Sequence, residues 1–110
     1  PVEPTAADAT AEAIAAAWRR ESARIVGALT RLTRDVGLAE DLYQDALVAA
    51  LEQWPRDGVP SNPAAWLMRA AQRRAIDQFR RAETLRRKTE QLGHLGEADA
   101  VPDLDSQVEH

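Results

Sequence analysis

The chain contains no cysteine, only two histidines and no long run of apolar residues. Without thiols, disulfide bonds and thiolate metal sites are excluded, and nothing indicates an oxidising compartment. No apolar stretch approaches the roughly 18 residues that a membrane-spanning helix requires, and the N-terminus lacks the basic and apolar regions of a signal peptide. We therefore expect a cytoplasmic protein with no membrane partner.

Patterns that indicate catalysis or cofactor binding are also missing. His94 and His110 lie near no candidate nucleophile or ligand set, and glycine-rich phosphate loops, H-E-x-x-H and EF-hand patterns are absent. Asp41 and Asp45 share a helix face, but two carboxylates alone make a weak cation site, and a solvated acidic face also explains them. The sequence predicts a protein that is not an enzyme and binds no cofactor or metal ion.

Aromatic residues make up 5% of the 110 residues, whereas 45% are hydrophobic, and alanine, leucine, arginine and glutamate are abundant. This composition favours helix, and the length suits one compact domain. Thr5 and Asn62 are expected helix N-caps, while Gly37, Pro55 and the glycines at 93 and 96 are expected to end helices. The prediction is an all-α, three-helix bundle with a long basic third helix. The predicted helices span about residues 6–36, 38–54 and 63–92.

The second predicted helix has an apolar face and a polar strip. Its apolar face consists of Leu42, Ala46, Ala49 or Ala50, and Trp54. The adjacent strip consists of Asp41, Gln44, Asp45 and Val48. Helical spacing alone leaves open whether this strip contacts a partner or only keeps the surface soluble.

The third predicted helix carries a tryptophan among arginines. Helical spacing places Ala64, Met68, Ala71, Ala75, Phe79 and Ala82 on one side, and Trp66 on the other with Arg69, Arg73, Asp77 and Arg80. The arginines either form solvated pairs, such as Arg73 with Asp77, or hold phosphates while Trp66 stacks on a base. A third alternative is that Trp66 packs beneath the first helix.

Charge is distributed unevenly along the chain. The formal net charge is −4, yet residues 69–88 contain eight cations and two acids, a local charge of +6. Residues 97–110 contain five acids and no lysine or arginine, which predicts a solvated tail. A basic helix on an acidic body can hold an anion in one orientation.

Three segments together resemble region 2 of the extracytoplasmic-function sigma factors of bacterial RNA polymerase, in the sigma-70 family. The segments are Ala39–Asp45, Ala65–Leu67 and Ile76–Arg81, and they match the A-E-D-L-x-Q-[DE], A-W-L and I-D-x-x-R-R patterns of that family. The resemblance covers about residues 12–88. One departure is Arg73, because many members have asparagine there.

The resemblance implies a protein partner for the second helix. In that family the corresponding strip binds the coiled coil of the β′ subunit of core RNA polymerase. The implied core-binding residues are Asp41, Gln44, Asp45, Val48 and Leu51.

The resemblance also implies binding to promoter DNA at the −10 element, where a base of the single-stranded nontemplate strand is flipped into a pocket. Trp66 corresponds to the first of two aromatics that help open the duplex in primary sigma factors, and Leu67 takes the place of the second. The implied DNA-binding residues are Arg56, Ser61, Asn62, Trp66, Arg69, Arg73 and Arg80.

The resulting hypothesis is a transcription initiation factor fragment that binds core polymerase and helps melt the −10 element, with an anti-sigma factor as a further candidate partner. Residues 1–92 would form region 2, and residues 93–110 an acidic interdomain linker or disordered tail before a missing −35-binding domain. The alternative is a helical interaction module whose basic helix binds an acidic protein. A salt titration distinguishes the two, because phosphate contacts give a steep dependence of affinity on salt.

Overall fold

The computed structural model describes Glu3 and residues 5–95, with side-chain surroundings through residue 92. These residues form α1 (Ala6–Thr33), α2 (Val36–Asp57) and α3 (Pro63–Leu95), and no strand occurs among them. The predicted all-α, three-helix class is confirmed. No helix in this part of the chain combines the length and apolar character needed to cross a membrane.

The chain divides within α3 into two compact units, residues 1–75 and residues 76–110. The hydrophobic core described here lies in the first unit, and all three helices contribute to it. Its most deeply buried side chains are Ile25 and Leu29 from α1, Ala39, Leu42, Tyr43, Ala46, Ala50 and Trp54 from α2, and Leu67, Ala71 and Ala75 from α3. The predicted apolar face of α2 is therefore correct in every member.

Two predicted N-caps are present. The Thr5 hydroxyl accepts a hydrogen bond from the Asp8 amide, and the Asp8 carboxylate accepts one from the Thr5 amide, both at 3.0 Å. The backbone and then the hydroxyl bond from Thr5 hold the pKa of Asp8 below its usual value. At α3, the Asn62 side chain accepts from the Ala65 amide at 3.1 Å. Each cap satisfies an amide that has no partner inside its helix.

The corner between α1 and α2 differs from the prediction. α1 ends at Thr33, and Arg34 rather than Gly37 takes the left-handed conformation, with φ of 59°. Asp35 then caps α2, because its side chain accepts from the Leu38 amide at 3.0 Å. The cap at Asp35 starts α2 so early that Gly37 lies inside its first turn, where it ends nothing.

The end of α2 also differs, because the helix passes through Pro55 and ends at Asp57. Pro55 lies in the last turn, where its missing amide removes only one bond of the helical ladder. Gly58 ends the helix instead. Its φ is 93°, a region that glycine enters without steric cost, and its amide donates to the Trp54 carbonyl at 2.8 Å.

The buried residues of α3 do not coincide with the apolar side that helical spacing picks out. Leu67 and Ala70 are buried with Ala71 and Ala75, whereas Phe79, which helical spacing places on the same side as Ala71 and Ala75, is 43% exposed. The predicted side also included Ala82, which is exposed. α3 continues through position 93 to Leu95, so the glycine there does not end it, while Gly96 and the acidic tail lie outside the described residues.

Replacing the α2 cap should destabilise the domain. Asp35→Ala leaves the Leu38 amide without its acceptor, and we expect a loss of about 1 kcal/mol, which lowers the melting temperature by about 4–8 °C. Asp57→Ala is the matched control. It removes an exposed carboxylate from the negative end of the same helix and should leave stability unchanged or slightly raised. Equal destabilisation by both variants in thermal unfolding would contradict the capping role.

Candidate nucleic-acid and partner interfaces

The polar strip of α2 is fully on the surface. It consists of Asp41, Gln44, Asp45, Val48 and Leu51, which we call the α2 strip, and all five are exposed. Val48 and Leu51 are 52% and 53% exposed, although such side chains are usually buried. The strip therefore combines two carboxylates and an amide with apolar side chains on one face of a helix. This combination suits contact with another helix, where apolar burial supplies affinity and charge selects the partner.

Of the three DNA-binding residues expected in the loop after α2, Ser61 and Asn62 lie in the connection between α2 and α3, whereas Arg56 lies in the last turn of α2. Arg56, Ser61 and Asn62 are all exposed. The Arg56 side chain donates to the Glu52 carbonyl at 3.2 Å, so its guanidinium is held near the end of α2. Asn62 uses its side-chain oxygen as the cap of α3. The amide nitrogen of Asn62 therefore remains free to donate to a ligand while the oxygen keeps the cap.

Trp66 is half-buried and packs against the core as well as reaching the surface. Its ring meets that of Trp54 edge to face, with centroids 5.3 Å apart and planes at 72°. Trp66 thus lies on the arginine side, as helical spacing indicates, and also packs against the core, where its aromatic partner is Trp54 of α2. Leu67, the next residue, is completely buried, so only Trp66 of the two adjacent positions can meet a ligand.

The cations of α3 in the first unit are Arg69, Arg73 and Arg74. Arg69 and Arg73 are exposed, and neither forms an ion pair with any residue from 5 to 92. The alternative in which Arg73 pairs with Asp77 is not observed, and the Asp77 carboxylate instead accepts from Arg81 at 2.6 Å. Both exposed guanidiniums keep all their donors available for an external anion.

The cations of the second unit fall into two groups. Arg81 pairs with Asp77, and Arg86 and Arg87 both pair with Glu83. The hydrogen bond from Arg86 holds the pKa of Glu83 below its usual value and raises the pKa of Arg86. Glu83 is therefore ionised at neutral pH and offsets charge locally. Arg80 and Lys88 have no such partner within the described part of the chain.

A surface feature of α1 was not anticipated from the sequence. Arg20, Glu21 and Arg24 line a groove together with Asn62, Pro63 and Ala64 at the start of α3. No periodicity within one helix reveals this neighbourhood, because it depends on how α1 and α3 pack. Elsewhere among the described residues, no group of three or more histidine, aspartate or glutamate side chains is placed to hold a metal ion.

The family model described as sigma-70 region 2 matches residues 17–84. The chain belongs to this family. The match includes the α2 strip, the connection to α3, Trp66 and Arg80. Members of the sigma-70 family are transcription initiation factors of bacterial RNA polymerase rather than enzymes, which agrees with the absence of a catalytic pattern in the sequence.

Similar proteins point to the extracytoplasmic-function group. One is the ECF RNA polymerase sigma factor SigK of Mycobacterium sp. (strain KMS), 33% identical over 91 residues, which are 79% of this chain and 46% of that protein. Another is the probable ECF RNA polymerase sigma factor SigI of Mycobacterium tuberculosis (strain CDC 1551 / Oshkosh), 29% identical over 87 residues, 79% of this chain and 29% of that protein.

A shorter match has higher identity. An uncharacterized protein of Rhizobium meliloti (strain 1021) is 46% identical over 56 residues, which are 51% of this chain and 13% of that protein. The chain thus spans less than half the length of each of these relatives. No solved structure matches the chain significantly.

Proposed function

We propose that this chain is the part of a bacterial transcription initiation factor that binds core RNA polymerase and opens the promoter −10 element. The α2 strip contacts the coiled coil of the β′ subunit. The α2–α3 connection, Trp66 and the exposed arginines of α3 contact DNA. The family match supports the general role, and the assignment of individual residues is our proposal.

One observation gives the strongest support for assigning the two partners to separate surfaces. Within the first unit, the exposed α2 strip carries carboxylates and no cation, whereas the exposed Arg69 and Arg73 of α3 have no acid partner among the described residues. A DNA strand is repelled by the first surface and attracted by the second. The two surfaces therefore suit partners of different charge.

The DNA-binding role depends on a surface aromatic held beside cations. Trp66 lies one turn into α3. Its amide donates to the Asn62 carbonyl at 3.1 Å, so its backbone is part of the regular helix. The Trp54 ring packs against the indole of Trp66 in an edge-to-face arrangement. A supported indole can stack on, or wedge beside, an unpaired base without first losing side-chain freedom. The arginines supply phosphate contacts that position the strand.

The α2 strip generates the first prediction of this proposal. Asp45→Arg should abolish binding to the β′ coiled coil in a pull-down assay, because it places a cation where the partner meets a carboxylate. The helical circular dichroism signal and the melting temperature should change little, since Asp45 is exposed. Glu12→Arg changes the net charge equally at an exposed position of α1 and should retain binding. Retained binding by Asp45→Arg would show that the strip is not the docking surface.

The difference between paired and unpaired arginines gives the second prediction of this proposal. Arg73→Ala and Arg80→Ala should each weaken DNA binding by about 1 kcal/mol across different sequences and lower the salt slope by about one unit. Arg81→Ala is the control, because Arg81 is already paired with Asp77 and should matter less. A loss confined to one promoter sequence would identify Arg73 or Arg80 as a base contact instead.

The aromatic side chain of Trp66 gives the third prediction of this proposal. Trp66→Leu and Trp66→Phe both keep an apolar side chain against Trp54, but only phenylalanine keeps an aromatic plane. We expect Trp66→Phe to retain most opening of the −10 duplex and Trp66→Leu to lose it, measured by permanganate reactivity in complexes with core polymerase. Both should bind core polymerase normally.

Trp66→Ala tests how much the same side chain contributes to the stability of the fold. Trp66→Ala should also destabilise the fold, by at least the ~0.5–1.5 kcal/mol of an aromatic pair, but by less than the ~3–5 kcal/mol of a fully buried tryptophan. Equal duplex opening by the leucine and phenylalanine variants would leave Trp66 with a packing role alone.

A further inference from the structure

The second unit carries a groove along one side of α3, which we call the α3 groove. Its volume is about 350 Å³, and it is lined by Arg80, Arg81, Thr84, Leu85 and Lys88. Leu85 is half-buried, and the cations lie on either side of it along the helix. The α3 groove therefore presents an apolar centre between positive charges.

Two of the three cations in the α3 groove have no partner within the described part of the chain. Arg81 pairs with Asp77, whereas Arg80 and Lys88 form no ion pair with any described residue. The carboxylate of Glu83 is engaged by arginines that do not line the groove. An acidic segment that reaches the groove would therefore meet two cations whose charge no neighbouring carboxylate offsets.

The sequence that follows α3 has the complementary composition. Residues 97–103 read E-A-D-A-V-P-D, which is three acids and a valine without any cation. A residue before proline favours extended backbone, so Pro102 favours an extended Val101. Gly96 precedes the segment, and glycine adopts the left-handed conformations that reverse a chain without steric cost. The composition thus suits a segment that turns back and runs extended along the helix.

The lining residues of the α3 groove lie at measurable distances from the end of the helix. At a rise of about 1.5 Å per residue, Lys88 lies about 11 Å back from Leu95 along the helix axis. On the same scale Leu85 lies about 15 Å back, and Arg80 about 23 Å back.

An extended chain that turns at Gly96 reaches the same levels. At about 3.3 Å per residue, Asp99 lies about 10 Å from the turn, Val101 about 17 Å and Asp103 about 23 Å. These three positions fall level with the near cation of the α3 groove, its leucine and its far cation, in that order. The match places acids beside cations and an apolar side chain beside an apolar one.

We propose that residues 97–103 of this chain fold back along α3 and occupy the α3 groove. Asp99 pairs with Lys88, and Asp103 pairs with Arg80. Exposed ion pairs contribute little singly, but the short tether holds the segment at an effective concentration on the order of 1 mM. The docked segment competes with DNA for Arg80. This competition rests on the proposed function, whereas the docking itself does not.

A pair of introduced thiols tests the docking directly, because the chain contains no cysteine. Thr84→Cys places one thiol in the α3 groove, and Ala100→Cys places the other between the two proposed ion pairs. In the control pair, Ala82→Cys replaces Thr84→Cys, since Ala82 is exposed on α3 and does not line the groove. Under mild oxidation the groove pair should form an intrachain disulfide several-fold faster than the control pair. Equal rates, or a disulfide between two chains instead, would overturn the proposal.

A charge swap in the groove pair tests the proposed register. Asp99→Lys should slow the cross-link, because it places a cation opposite Lys88, and adding Lys88→Asp should restore the rate. Glu109→Lys is the matched control, since it changes the charge equally beyond the docked segment and should leave the rate unchanged. Slowing by Asp99→Lys and Glu109→Lys alike, without rescue by Lys88→Asp, would show a general charge effect and overturn the pairing.

Fluorescence anisotropy with a labelled single-stranded DNA tests the competition, at low salt where exposed charges are least screened. Asp103→Asn should strengthen DNA binding several-fold, because it releases Arg80, and should have no effect in an Arg80→Ala background. Glu109→Gln should leave DNA binding unchanged. If Asp103→Asn does the same while the groove pair cross-links as expected, the competition is overturned and the docking stands.

The measurements also separate the docking from the proposed function. Equal cross-linking of the two thiol pairs, with weaker DNA binding by Arg73→Ala, would overturn the docking and leave the proposed function in place. Fast cross-linking of the groove pair, with DNA binding that neither Arg73→Ala nor Arg80→Ala alters, would support the docking and contradict the proposed function.

Discussion

The contact between Trp54 and Trp66 is the constraint on which the candidate site depends. Trp54 belongs to the last turn but one of α2, is 2% exposed, and meets Trp66 near the beginning of α3. The two rings therefore connect the ends of the helices that border the loop. An aromatic pair of this geometry adds roughly 0.5–1.5 kcal/mol beyond the burial of its surface. Without it, the loop ends would be restrained by their caps and by the burial of neighbouring residues such as Leu67.

This contact explains how a short loop can present several side chains without a rigid strand or disulfide beneath it. Gly58 closes α2 with a bond to the Trp54 carbonyl, and Asn62 opens α3 with a bond from the Ala65 amide. Both terminal bonds lie close in sequence to a tryptophan of the pair. The residues between them are consequently held at two fixed points, which lowers the entropy that a bound strand would have to remove.

The predictable part of the structure follows from periodicity and local capping. The buried side chains of α2, such as Leu42, Ala46 and Trp54, have helical spacing that no other element disturbs. The start of α3 was predictable from Asn62 followed by proline, because both residues act within one turn. The family match likewise confirms the resemblance carried by three short segments, although the contacts of individual site residues remain predictions.

The features that sequence patterns missed depend on competition between neighbouring residues or on packing between helices. Gly37 is an ordinary candidate for a helix end, but Asp35 competes by capping the next helix, and Arg34 then adopts the left-handed conformation. Asp77 has arginines within one turn on both sides, and spacing alone does not choose between them. The half-burial of Trp66 requires Trp54 from another helix, which a helical wheel of α3 does not contain.

Ion pairing decides which of the many cations can act on a partner. A paired arginine presents an anion with a guanidinium whose charge is already offset, and at about 0.1 M salt the field of any exposed charge fades within ~10 Å. The summed charge of +6 between residues 69 and 88 therefore overstates the attraction that a distant strand feels. Contacts at short range matter more than the summed charge. Arg81 and Arg86 each pair with a carboxylate, whereas Arg73 and Arg80 form no ion pair among the described residues. In the proposed function, the carboxylates among the arginines would therefore restrict where an anion binds rather than simply weaken its binding.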